Sequence, residues 1–312
     1  MLRPLTALCD ASARAYAGVL LEDFTVSESP KLLIAGCGDI GCRVALRLLR
    51  HGWRVQGLRR DIAALPEGVA AIQGDLEQPL CPAQWPAGKL DYLLYAASAN
   101  RHDEAGYRAA YVEGLGNVLA WLDQHGQRPR RLLFLSSTGV YGQDQGEWVD
   151  ENSGTDPRGY TGRVMLEAEQ LARNSGLAVT LVRLAGLYHP ARPWLQNQVR
   201  SGLQAPRDPP QFSNRIHRDD AAGLISFLLQ ADARGVPLED CYLGVDDEPA
   251  ALHEVVDWMR ARLGVDHCSG QFLSRRAGSK RCSNARARAL GWAPVFAGYR
   301  DGYAQIGAAD QD

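Results

Sequence analysis

Three glycines in the spacing Gly36-x-Gly38-x-x-Gly41 follow directly on the apolar run Leu32-Leu33-Ile34-Ala35, and that spacing lets a backbone turn under a pyrophosphate. Gly36 permits the tight turn, Gly38 leaves room for close phosphate approach, and Gly41 lets the following helix pack against the strand. Asp39 and Ile40 complete the loop and open that helix, whose unpaired N–H groups and positive partial charge favour an anion. The chemistry these residues point to is dinucleotide binding. Further along stand Arg59 and Arg60, where an NAD-preferring site carries a carboxylate for the ribose 2′-hydroxyl, about 20 residues past the glycines. Asp61 comes only after the arginine pair. A planar guanidinium suits a 2′-phosphate, so NADP is the favoured cofactor, with NAD as the alternative.

Such a loop works only between a strand and a helix, and the pattern supplies both. Val44, Ala45, Leu48 and Leu49 recur at helical spacing up to His51-Gly52, a helix stop, and a second strand resumes over Trp53–Gly57. Strand-like runs then follow at 69–72, 90–97, 131–136 and 177–183, alternating with helical patterns at 104–124 and 161–174. This alternation builds an α/β fold, a Rossmann-type doubly wound parallel sheet covered on both faces. Residues 31–184 are read as its NAD(P)-binding domain, with 214–245, including a helix near 219–231, returning to it. Residues 185–213 and 246–312 are read as a small C-terminal substrate lobe, and residues 1–30 as an N-terminal extension with a helical stretch at 11–21.

Composition narrows the class. Lys plus Arg total 34 against 36 Asp plus Glu, a formal net charge of −2, which gives no electrostatic footprint for nucleic acid or a membrane surface. A small-molecule partner fits better. The seven cysteines form no Cys-x-x-Cys pair, and an odd, scattered set suits a reducing cytoplasm. No apolar run approaches the length that crosses a bilayer. The histidines show no ligand spacing with cysteines or carboxylates, so no metal is expected.

Several short strings stand in the order found in the extended branch of the short-chain dehydrogenase/reductase superfamily, the NAD-dependent epimerase/dehydratase enzymes. Besides the glycine loop these are Gly74-Asp75-Leu76, Tyr95-Ala96-Ala97, Ser136-Ser137-Thr138-Gly139-Val140-Tyr141-Gly142, and Arg183-Leu-Ala-Gly-Leu-Tyr188-His189-Pro190. Ile216-His217-Arg218-Asp219-Asp220 and Leu290-Gly291-Trp292-Ala293-Pro294 complete the series. The chain resembles that branch over roughly residues 31–303, since serial order across many motifs outweighs any single match. The resemblance implies that Asp75 and Leu76 lie beside the adenine and that Ala96 and Ala97 pass the nicotinamide ribose. It implies oxidoreductase or epimerase-like chemistry at a hydroxyl or carbonyl carbon of a small molecule, with nucleotide sugars the family's substrate class. Dimerisation through the two long helices is a further family expectation.

The resembling enzymes hold the substrate hydroxyl with a Ser or Thr, exchange its proton with a Tyr, and lower that phenol's pKa with a Lys four residues later. Ser137 takes the first role by its place in Ser-x-x-Val-Tyr-Gly, with Thr138 next to it. Tyr160 is the candidate phenol, but residue 164 is valine, and no Tyr-x-x-x-Lys stands nearby. Arg163, three residues on and on the same helix face, is the candidate cation in its place. His189 replaces the glycine usual before Pro190. His217 and Asp220 are read as residues that tie the lobe to the sheet. The missing lysine leaves a second reading open, a non-catalytic NAD(P)-binding sensor or interaction protein on the same fold.

Overall fold

In the computed structural model, residues 29–273 and 278–304 are described. The N-terminal extension before residue 29, with its expected helix at 11–21, lies outside them.

Apolar, β-branched and aromatic runs form seven strands: β1 (Lys31–Ala35), β2 (Arg54–Arg59), β3 (Ala70–Gln73), β4 (Tyr92–Tyr95), β5 (Arg131–Ser137), β6 (Val179–Leu184) and β7 (Cys241–Gly244). They make one sheet in the order β7-β6-β5-β4-β1-β2-β3, every neighbouring pair parallel. The central strands are buried on both faces, as Leu32, Leu33, Ile34 and Ala35 show, and this is why they read as continuous apolar runs. The strand order reverses between β1 and β4, and ligands of such sheets bind at that switch point, outside the carboxyl ends of the strands.

Helices cover both faces. On one side α1 (Asp39–Leu49) packs through Val44, Ala45 and Leu48 against Ala221, Leu224, Ile225 and Leu228 of α6 (Arg218–Ala233). On the other, Leu115, Val118 and Trp121 of α3 (Gly114–Gln124) share a core with Met165, Ala168 and Ala172 of α4 (Tyr160–Arg173). The long helix expected over 104–124 is interrupted: α2 (Glu104–Arg108) passes through a π-helical turn, Ala109–Glu113, into α3. The seventh strand was not evident in the sequence as a separate element.

The C-terminal lobe has its own core, in which Tyr188, Val199 of α5 (Trp194–Arg200), Val255, Val256 and Met259 of α7 (Leu252–Arg262), Tyr299 and Tyr303 come together. Short strands stitch it on. Gly186–Tyr188 pairs with Arg215–His217, Phe212–Ser213 with Ala250–Ala251, and Glu147–Val149 with Lys280–Cys282. Asp220 accepts hydrogen bonds from Val295 N (2.8 Å) and Phe296 N (3.0 Å), and the His217 ring lies 4.0 Å from the Phe296 ring, tilted by 45°. No helix among the described residues is long and apolar enough to cross a membrane.

Candidate functional site

The glycine loop lies at the carboxyl end of β1, and its residue types are set by what surrounds them. Gly36 has φ +82°, and a Cβ there would stand 2.6 Å from both Ala97 N and Ala97 Cα, so only glycine fits. Its N–H and that of Cys37 both donate to Leu58 O, at 3.1 and 3.0 Å, which fixes the turn to β2. A Cβ on Gly38 would meet nothing closer than 4.0 Å, whereas one on Gly41 would stand 3.0 Å from Ile34 Cγ2. Open space over Gly38 and close packing under Gly41 are the division of labour that a phosphate-binding turn requires. No side chain caps the N-terminus of α1, which leaves its first N–H groups for a ligand.

Beside this loop is a cavity of about 250 Å³. Of the expected cofactor residues, Gly36, Gly38, Arg59, Arg60, Asp75, Leu76 and Ala97 line it. Asp39, Ile40, Gly41 and Ala96 adjoin it without forming its walls. Arg59 Nη1 donates to Cys37 O (3.0 Å), and Arg60 Nη2 to Asn100 Oδ1 (2.7 Å). Asp61 also lines the cavity, but its carboxylate accepts Ala63 N at 3.1 Å and starts the next turn. The residues fit a dinucleotide: a cradle that a Cβ would fill, a helix start, and two arginines on the cavity wall.

A second cavity, of about 270 Å³, opens at the carboxyl end of β5 and includes Ser137, Tyr141, Tyr111, Thr161 and Met165 among its walls. The π-helical turn separates the two, with Ala110 facing the first cavity and the adjacent Tyr111 the second. Tyr95 at the end of β4 donates to Ala110 O (2.6 Å) and so holds that turn. Ser137 Oγ accepts Gly139 N at 3.0 Å. Tyr141 is buried, and its phenol oxygen accepts a hydrogen bond from Arg183 Nη1 (2.8 Å). Arg183 in turn makes a two-pronged pair with Glu169, at 2.9 and 2.7 Å, and Ser136 Oγ donates to the same carboxylate at 2.5 Å. Burial pushes the Tyr141 phenol up, and the adjacent guanidinium does not offset it, so the phenol keeps its proton at neutral pH.

Tyr160 and Arg163 are not brought together with Ser137. The Tyr160 hydroxyl donates to His102 O, its ring packs edge-on to Tyr107 at 5.6 Å, and Arg163 is exposed, donating to Arg158 O at 3.1 Å. Neither lines the second cavity. The positions of α4 that face Ser137 at helical i, i+4 spacing are Thr161 and Met165, one and two residues beyond the expected pair. The cause is packing: Gly162 sits where a Cβ would stand 2.5 Å from Gly139 O and 2.4 Å from Pro157 Cβ, and this close approach sets the phase of the helix. The Tyr141–Arg183–Glu169 cluster was not picked out from the sequence. Its signal was Glu169 itself, a carboxylate on the buried stripe Gly162, Met165, Ala168, Glu169 and Ala172, since a charge there demands a partner.

Among the described residues no group of three or more His, Cys, Asp or Glu side chains converges in a way that could hold a metal.

Comparison with known proteins agrees with the geometry. An NAD(P)H-binding family model matches residues 36–232. Protein YeeZ of Escherichia coli is 33% identical over 216 residues, 66% of this chain and 75% of that protein. A structure from Methylobacillus flagellatus, given as a candidate NAD-dependent epimerase/dehydratase, is 35% identical, with TM-score 0.73, over 92% of this chain and 100% of its own. The UDP-glucose 4-epimerase of Thermus thermophilus in complex with NAD, 20% identical, superposes with TM-score 0.70 over 89% of this chain and 98% of its own. At that identity it shows the shared fold alone.

Proposed function

The chain belongs to the NAD(P)H-binding family, and on that footing we propose that it is an NADP-linked oxidoreductase of the epimerase/dehydratase type. Its substrate is a small molecule, reacting at a hydroxyl or carbonyl carbon. The observation that carries this reading is the placement of two cavities at the carboxyl edge of one sheet, with Ala110 on the wall of one and the adjacent Tyr111 on the wall of the other. One is shaped for a dinucleotide and the other is lined by hydroxyl groups. Arg59 and Arg60 on the wall of the first favour the 2′-phosphate of NADP over the bare ribose of NAD.

The nicotinamide, when bound, supplies or accepts a hydride. The chain's own residues hold the substrate oxygen. Ser137 Oγ and the Tyr141 oxygen each accept one hydrogen bond, from Gly139 N and Arg183 Nη1, and among the described residues neither hydroxyl proton has an acceptor. Both residues line one cavity, and in this reading they supply its hydroxyl donors. Thr161 and Met165 offer neither a titrating phenol nor a cation, so the family's usual acid/base pair is replaced in this reading by Ser137 and Tyr141. Burial excludes water from Tyr141, and Glu169 keeps Arg183 in place.

The test is turnover of NADPH or NADP with a panel of sugar nucleotides and simple carbonyl compounds, the first group chosen because UDP-sugar epimerases share the fold. Ser137→Ala and Tyr141→Phe should each lower turnover at least tenfold with NADPH affinity retained, while Tyr160→Phe should leave turnover within about twofold. Equal loss in all three would remove the assignment to Tyr141. A second reading, an NAD(P)-binding sensor without redox chemistry, is favoured by Thr161 and Met165 on the catalytic face. Tight NADPH binding with no turnover across the panel would support it. Either function belongs in a reducing, cytoplasmic setting, as the free thiols of Cys37 and Cys42, 3.9 Å apart, suggest.

A further inference from the structure

Asp39 is the first residue of α1, so its carboxylate stands at the helix start that faces the cofactor's diphosphate. A negative charge in that place opposes binding unless it is covered. Two guanidiniums cover it: Arg43 Nε lies 3.0 Å from Asp39 Oδ1, and Arg218 Nη1 lies 3.6 Å from Asp39 Oδ2. Arg43 is further committed to the Asp219 carboxylate.

Arg218 is held differently. Its Nη1 meets His189 Nε2 at 3.0 Å, its distance to Asp39 is too long for a hydrogen bond, and its Nε is shielded from solvent with no acceptor among the described residues. His189 Nδ1 is likewise shielded and without a partner there. Burial and the neighbouring Arg218 push the His189 imidazole below its usual range, so it stands beside the guanidinium as a neutral acceptor and leaves the Asp39 carboxylate at 3.6 Å to balance its charge. The three residues come from three elements: Asp39 heads α1, Arg218 heads α6, and His189 follows the strand Gly186–Tyr188. They close one corner between the sheet and the lobe at the glycine loop. Residue 189 is also where the sequence departs from the motif string it otherwise follows, which carries glycine there, and the histidine that replaces it is bonded to Arg218.

We propose that Arg218, supported by His189, is a second clamp for the dinucleotide diphosphate, moving from Asp39 onto a phosphate oxygen when the cofactor binds. The inference rests on the cofactor reading and adds to it a cationic residue from outside the glycine loop. A guanidinium presents several donors in a rigid fork, and phosphate oxygens are better acceptors for it than a carboxylate at 3.6 Å.

The test uses full-length protein with two probes: NADPH, followed by its fluorescence, and adenosine 2′-monophosphate, which lacks the diphosphate. Arg218→Gln should weaken NADPH about tenfold while adenosine 2′-monophosphate changes less than twofold, the thermal midpoint stays within about 2 °C, and Arg218→Lys restores part of the affinity. His189→Gly should weaken NADPH two- to threefold by removing the support. Unchanged NADPH affinity in Arg218→Gln, or equal loss for both probes with a fallen midpoint, would overturn the clamp and leave a purely structural network. Wild-type protein that fails to bind NADPH would overturn the cofactor reading and the clamp together, an outcome distinct from a difference confined to the variants.

Discussion

Gly36 shows how much a single backbone position can specify. Its φ of +82° and the 2.6 Å distance from a virtual Cβ to Ala97 N leave no room for any side chain. Gly36→Ala should therefore push β4's exit loop away, lowering stability by about 1–2 kcal/mol for the left-handed backbone alone. It should also abolish measurable NADPH binding, which fluorescence titration and urea unfolding would check. This constraint was legible in the sequence because backbone geometry is written in residue type and spacing. The face of α4 was not. Successive helical residues point about 100° apart, so which of Tyr160, Thr161 or Arg163 faces Ser137 depends on how Gly162 seats against Gly139 and Pro157, a tertiary contact with no local signature. The side on which Ser137 stands was legible because it lies on a strand end, where the choice is only between two faces.

The long helix beside the two cavities carries its information in an irregularity. A π-helical turn at Ala109–Glu113 gives adjacent residues to different cavities, and Tyr95 supports it by donating to Ala110 O at 2.6 Å. Tyr95→Phe leaves that buried carbonyl without its donor and should cost about 1–3 kcal/mol of stability, while loosening the wall that Ala110 gives the cofactor cavity. Urea denaturation and NADPH titration on the same variant would show both effects; full stability with unchanged affinity would mean that the turn holds itself. The expected helix over 104–124 was correct in extent, but a single inserted residue in a helix leaves the apolar period nearly intact, so the sequence pattern did not reveal it. β7 escaped notice for another reason. Cys241–Gly244 is four residues long and buried at every position, too short to display a period.

At the scale of the whole molecule, the lobe is joined to the sheet through buried polar groups as well as through strands. Asp246 is 2% exposed, its main-chain N–H donates to Arg215 O at 2.8 Å, and burial raises its carboxyl to about 8. In the unfolded chain such a group titrates near 3.9. Between these values the native state holds a proton that the unfolded state has released. Stability is therefore greatest below about pH 4 for this group, falls as pH rises, and levels off above about pH 8. Asp246→Asn should remove that slope and raise stability at pH 8 by several kcal/mol, measurable as urea midpoints at pH 5 and pH 8. A slope unchanged by the substitution would assign it to other groups. The sheet was legible from alternating apolar runs, and the motif at Ile216–Asp220 was correctly read as a tie, since Asp220 caps the N–H groups of Val295 and Phe296. The lobe's own strands were not legible, because each is two or three residues long and exists only through its partner.

One of those pairings, Glu147–Val149 with Lys280–Cys282, bears on the order in which the protein is made. Its first strand leaves the ribosome long before its second, and every residue of the cofactor cavity up to Ala110 is already synthesised by then. The nascent chain can assemble β1 to β6 while Tyr141, whose carbonyl later accepts Lys280 Nζ at 2.9 Å, still lacks that contact. Closing so large a loop is entropically costly and slow relative to local steps. The wall of the first cavity, built from residues up to Ala110, can thus form before that of the second, to which Gly278 also contributes.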